Sequence, residues 1–152
     1  MDNIEFLFIV PTKDSTENLE RLIISFKSQI YSIWKVVFID ASEAISSKNF
    51  LKKICNDDIR FQYIKEEGKN KSIYNAMNLG FDVCKPNNWI LFLGSDDWLS
   101  SPFSLNILEK NIRSNINPNN DCVYFCKTKY FDAFTFQEKR VNKIPNYKFL
   151  NK

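Results

Sequence analysis

Three short apolar runs, over residues 4–10, 36–39 and 89–93, set the narrowest limit on how this chain can fold. Runs of that length suit strands buried on both faces and are too short for a typical helix. All three stop abruptly: at Pro11-Thr12, at Asp40-Ala41-Ser42, and at Gly94-Ser95-Asp96-Asp97. Between them the apolar residues recur at helical spacing. Leu19, Leu22, Ile23, Phe26 and Ile30 form one stripe, with Asp14 and Glu17 placed ahead of it as an N-cap and its reciprocal partner. Phe50, Leu51 and Ile54 mark a second helix over about 47–55, and residues 60–64 a short strand. Ile73, Ala76, Met77, Phe81 and Cys84 mark a third helix over about 72–84, with Lys71, Asn75 and Asn78 on another face. Phe103, Ile107, Leu108 and Ile112 are the expected core side of a fourth helix, about 102–115. A strand over 122–126 and an aromatic hairpin over 127–138 follow, then a basic stretch with no expected element. Alternation of this kind predicts an α/β fold: three layers, α/β/α, around a mostly parallel sheet.

At 152 residues the chain is long enough for one domain with its own core. The absence of His excludes His-based catalysis and His metal ligands within it. A net charge of +3 gives no argument for a nucleic-acid partner, but residues 101–152 hold nine Lys/Arg against four Asp/Glu. That excess reads as a solvated face, or as one turned to an acidic partner or a membrane surface. The cysteines, Cys55, Cys84, Cys122 and Cys126, form no C-x-x-C pair and are expected to be reduced, mostly buried thiols of a cytoplasmic protein. The acidic start, Met1 to Glu5, does not resemble a signal peptide, and no apolar run is long enough to span a bilayer.

In a parallel sheet the carboxyl ends of the strands share one edge, where ligands bind. Here that edge would gather Thr12 and Asp14, Asp40 and Ser42, and Asp96 with Asp97. Carboxylates brought together need a cation or hydrogen-bond donors. The arrangement points to a nucleotide and a metal, with Asp40 toward base or ribose and the Asp pair toward a hard cation that carries a diphosphate. The plainer alternative makes each a cap or turn residue, with Asp96 or Asp97 capping the fourth helix near Ser101-Pro102. For Asp14 the cap suffices. There is no G-x-x-x-x-G-K-[ST] and no G-x-G-x-x-G, so the metal and basic side chains such as Lys71 must carry the phosphate charge.

Four segments carry a resemblance: Val10-Pro11-Thr12 with Asn18-Leu19 and Ser28-Gln29; residues 36–42; residues 71–80, similar to D-K-G-I-Y-D-A-M-N-x-G; and residues 89–98, similar to W-I-x-F-L-N-S-D-D. Together they resemble the N-terminal part of the family 2 glycosyltransferases, inverting enzymes of the GT-A fold. The chain departs from the family pattern at Asn70, Ser72, Asn75, Ala41 and Ala44. The resemblance implies that Pro11, Thr12, Asp40 and Ser42 contact the nucleoside, and that Lys71 and Asn78 lie beside the diphosphate and sugar. It implies that Asp96 approaches ribose or sugar and that Asp97, with Asp96, holds Mn²⁺ or Mg²⁺. The implied reaction moves a sugar from a nucleotide-sugar donor, a UDP-sugar first, to a glycan or lipid-linked acceptor in surface polysaccharide synthesis, at the inner face of the membrane. A non-catalytic nucleotide-binding domain and a Mg²⁺-dependent phosphoryl-transfer enzyme are the alternatives. Only 55 residues follow Asp97, with Glu109, Asp121, Asp132 and Glu138 as their acids. The catalytic base is therefore open, with Asp132 and Glu138 as candidates. The expectation is one domain over residues 1–152, cut short in its acceptor and catalytic part and prone to form a homodimer.

Overall fold

A computed structural model of the chain describes residues 4–68, 71–86, 88–115, 129–131 and 137–141. The chain divides into two compact units, Met1–Ser114 and Asn115–Lys152. The first runs β1 (Glu5–Thr12), α1 (Thr16–Lys27), β2 (Trp34–Asp40), α2 (Ile45–Asp57), β3 (Phe61–Lys65), α3 (Ile73–Phe81), β4 (Asn88–Phe92) and α4 (Ser104–Asn115). Its four strands lie in the order β3-β2-β1-β4, all parallel, as the strand–helix alternation predicts. The second unit holds an antiparallel pair, β5 (Lys129–Phe131) and β6 (Glu138–Val141). The hairpin is present, and its second strand runs into the stretch expected to lack structure. The strand expected over 122–126, with Cys122 and Cys126, lies outside the described residues.

The pleat splits the core in two. Leu7, Ile9, Val37 and Ile39 face Ala76 of α3, with Leu79 and Ile90 packed around them. Gly80 permits this closeness: a β-carbon there would lie 2.4 Å from Ile9 Cγ2. The opposite face is aromatic. Phe8 meets Phe26 of α1 edge-on with centroids 4.7 Å apart, and Trp34, Phe61 and Phe38 continue the contact across β2 and β3.

Several expectations need correction. β4 was expected to be buried on both faces, but among the described residues it pairs with β1 alone and Phe92 is 41% exposed. α1 ends at Lys27, which leaves Ile30 outside it and exposed. α3 ends at Phe81, so Cys84 lies beyond it, and Ile73 and Phe81 are exposed while Ala76 and Gly80 are buried. α4 buries Leu105, Leu108 and Ile112, not Phe103 and Ile107. Phe103 and Ile107 form a second apolar pair at helical spacing, and both are exposed. Cys55 and Cys84 are free thiols, half-buried rather than buried; burial pushes the Cys55 thiol up to about 11.

Arg60 lies over the Trp34 ring, 4.0 Å from its centroid, and donates from Nε and Nη2 to the Asp58 carboxylate at 3.0 and 2.7 Å. That guanidinium holds the Asp58 carboxyl below the usual carboxylate range. The stabilisation is therefore complete above the unfolded Asp value, about pH 3.9, and is lost as pH falls through the depressed native value. Melting temperatures from pH 2 to 7 should show an acid limb that Asp58→Asn makes shallower. An unchanged limb would contradict this.

Candidate active site

Strand register builds the site's edge. Thr12 of β1 stands beside Asp40 of β2, and Asp40 beside Lys65 of β3. Backbone bonds carry the alignment past the strands: Ala41 N donates to Thr12 O at 2.9 Å, Glu66 N to Asp40 O at 2.9 Å, and Leu93 N to Ile9 O at 3.2 Å. Pro11, Thr12, Asp40, Ser42 and the Gly94–Asp97 turn thus share the carboxyl edge of the sheet, the position where open α/β sheets bind ligands.

Asp40 is fully buried. Its Oδ1 accepts from Ser42 N at 3.0 Å and from the Ser42 hydroxyl, and its Oδ2 accepts one long bond, 3.4 Å, from the Tyr63 hydroxyl. Burial, then Asp40's charge, raise the Tyr63 hydroxyl's pKa, so it stays a donor. Ser42 Oγ in turn accepts from Asp14 N at 2.8 Å. This overturns the capping role expected of Asp14. Its φ of 48° turns the chain through the left-handed region, and α1 starts two residues later with Ser15 as N-cap.

The segment before α3 holds a residue that its sequence does not advertise. Glu66 is 2% exposed, and its Oε1 accepts from Ser72 N at 3.1 Å and Asn75 Nδ2 at 2.7 Å. A carboxylate is well placed at a helix N-terminus, and this one is bonded to the N-cap residue and the first turn of α3. Ser72 supplies the cap by accepting from Asn75 N at 3.1 Å. Lys71 precedes the helix; its ammonium pairs with Glu43 and donates to Ala41 O at 3.4 Å. The Glu43 carboxylate raises the Lys71 pKa, and Lys71 lowers that of Glu43. Asn78 is exposed on α3, and Asn75 is spent on Glu66.

Asp96 and Asp97 form a turn with Gly94: Asp97 N donates to Gly94 O at 3.1 Å and Gly94 N to Asp97 Oδ2 at 3.0 Å. Neither acid caps α4. That end is held by Ser101 and Ser104, through Phe103 N to Ser101 Oγ at 3.2 Å and Ser101 N to Ser104 Oγ at 3.1 Å. Both carboxylates lean over Gly94. A β-carbon there would lie 2.8 Å from Asp96 Oδ1 and 3.0 Å from Asp97 Oδ2. Two hard oxygen donors converging on one small space suit Mg²⁺ or Mn²⁺. Among the described residues no group of three or more acids, cysteines or histidines could hold a metal, so phosphate oxygens would have to complete the coordination. Beside this turn is a cleft of about 220 Å³ lined by Pro11, Ile73, Met77, Phe92, Leu93 and Gly94.

Residues 7–152 match the family described as Glycosyl transferase family 2. The chain belongs to that family. No curated protein sequence matches it. Among solved structures, the family 2 chain is similar to S. aureus TarS 1-349, at 18% identity and a TM-score of 0.65 over 80% of this chain and 39% of that one. It is similar to the same TarS fragment in complex with UDP-GlcNAc, at 19% identity and a TM-score of 0.64 over 73% and 32% of the two chains. It is also similar to the mannosyltransferase PcManGT from Pyrobaculum calidifontis in complex with GDP-Man and Mn2+, at 13% identity and a TM-score of 0.62 over 78% and 34%. These likenesses establish the GT-A fold, and the chain spans about a third to two fifths of the length of these structures. Of the two acids considered as bases, Asp132 lies outside the described residues. Glu138 lies in the second unit, its Oε2 2.8 Å from Lys129 Nζ.

Proposed function

We propose that this family 2 chain binds a nucleotide-sugar donor, a UDP-sugar first, along the carboxyl edge of its sheet, as the donor-binding part of a glycosyltransferase. The observation that carries the reading is the convergence of Asp96 and Asp97 over Gly94 at the end of β4, on the same edge as buried Asp40. The neighbours in complex with UDP-GlcNAc and with GDP-Man and Mn2+ support it. Thr12, Asp40 and Ser42 take the nucleoside. Asp40 Oδ2, which among the described residues accepts the 3.4 Å bond from Tyr63, is the acceptor that a base imino group or a ribose hydroxyl would reach by displacing the Tyr63 hydroxyl. Asp97 and Asp96 hold Mn²⁺ or Mg²⁺, which when bound neutralises charge on the leaving diphosphate. Lys71 exchanges Glu43 for phosphate, an exchange that costs little because surface ion pairs are weak. Asn78 and the cleft at Pro11, Met77 and Leu93 flank the sugar. The acceptor in this reading is a glycan or lipid-linked chain in surface polysaccharide synthesis, reached at the inner face of the membrane. Among the described residues no helix is long and apolar enough to cross a membrane.

Calorimetry with UDP-, GDP- and dTDP-sugars in Mn²⁺ tests the proposal. One base class should bind, and its nucleoside monophosphate should bind more weakly. Binding of none, or equal affinity for the monophosphate, would overturn it.

A further inference from the structure

Asp96 and Asp97 lie in a segment, residues 93–103, that belongs to no helix or strand, and both are exposed. Carboxylates on a loose loop make a poor cation site, because binding must then also order the loop. The segment after them is tied instead to the end of α1. Arg21 Cζ is 4.8 Å from the centre of the Trp98 ring. Leu99 N donates to Ser25 Oγ at 3.1 Å. Gln29 Nε2 donates to Ser101 O at 2.8 Å, Ile30 N donates to Pro102 O at 3.0 Å, and Leu105 N donates to Gln29 Oε1 at 3.2 Å. Ser25 and Gln29 are each only 7% exposed. Their own geometry is fixed from within α1: Ser25 Oγ donates to Leu22 O at 2.7 Å, and Gln29 Nε2 to Ser25 O at 2.9 Å. Gln29 thus donates to the loop at Ser101 and accepts from Leu105 in the first turn of α4, and its primary amide supplies both the donor and the acceptor.

We infer that Gln29 and Ser25 are positioning residues for the Asp96-Asp97 pair, holding the chain that follows it so that the carboxylates are preset for a cation. The inference rests on the metal-binding role proposed above. Neither residue touches the cation, and neither belongs to the nucleoside end, where Asp40, Ser42 and Tyr63 are held by β2 and β3. Loss of the tie should therefore weaken the cation and spare the nucleoside. A residue that merely stabilised the fold would not separate the two.

The test uses the wild type, Gln29→Met, which fills the volume without the three bonds, and Ser25→Ala. Paramagnetic resonance measures Mn²⁺ affinity in the presence of UDP, and NMR titration measures uridine affinity, both well below each variant's Tm. Mn²⁺ affinity should fall roughly tenfold in Gln29→Met, the scale seen when groups that orient metal ligands are removed, and by a smaller factor in Ser25→Ala. Uridine affinity should not change. Wild-type Mn²⁺ affinity in the folded variants, or parallel loss of Mn²⁺ and uridine, would overturn the inference. If Gln29→Met does not fold, Ser25→Ala decides by the same criteria. A wild type that binds uridine but takes no Mn²⁺ with UDP would instead remove the metal role of the Asp pair, and the inference with it.

Discussion

Asp97→Asn should lower Mn²⁺-dependent affinity for UDP on the order of 100-fold while leaving the melting temperature unchanged. The exchange keeps the side chain's size and an oxygen that can accept from Gly94 N, now at 3.0 Å from Asp97 Oδ2, so the turn survives. What disappears is the negative charge, and hard divalent cations depend on carboxylate charge for affinity. Removing a group that only orients a metal ligand already costs 10- to 100-fold, so loss of a ligand's charge belongs at or beyond that range. Calorimetry in Mn²⁺ reads the effect. Wild-type affinity in the variant would place the cation elsewhere.

Glu66→Ala should cost about 2–3 kcal/mol of stability, because it leaves Ser72 N–H and the Asn75 amide without their shared acceptor at the part-buried start of α3. For a unit of this size that is a fall in melting temperature of about 8–12 °C. Glu66→Gln should cost less, since its amide oxygen still accepts from Ser72 N but the charge at the helix N-terminus is gone. Because α3 supplies Ile73 and Met77 to the cleft, nucleotide-sugar affinity should fall with stability in both variants. Scanning calorimetry and binding titrations on the two check this. A melting temperature unmoved by Glu66→Ala would show that the helix is set by its Ser72 cap alone.

Much of this architecture was legible in the order of residues. Apolar runs that end at Thr12, Asp40 and Gly94 are strands of a parallel sheet, and parallel strands align their ends, so the site's edge could be drawn before any coordinate. The Asp pair and the polar face of α3 were read from the residues, and the family pattern added the roles assigned to them. What stayed hidden were facts decided by the packing of one element on another. The Asp-Ser-Thr-Glu sequence at 14–17 has the letters of a capping box, but Ser42, 28 residues later, takes the Asp14 N–H. Two apolar sets share residues 103–112, Phe103 with Ile107 and Leu105 with Leu108 and Ile112, and helical spacing alone does not say which one the fold buries. Glu66 sits in a charged run and looks solvated until α3 closes over it. Likewise Asp40 reads as a ligand-facing acid, while its burial and its bonds to Ser42 and Tyr63 give it a structural part as well.

The central claim is that a cation on the Asp96-Asp97 turn joins this chain to a nucleoside diphosphate. Crystals grown with UDP and Mn²⁺, measured at the manganese edge, test it most directly. The account predicts an anomalous peak against the Asp97 carboxylate, with phosphate oxygens completing its coordination and the uracil beside Asp40. UDP bound along this edge with no manganese at Asp96 or Asp97, or manganese and UDP bound elsewhere on the molecule, would contradict it.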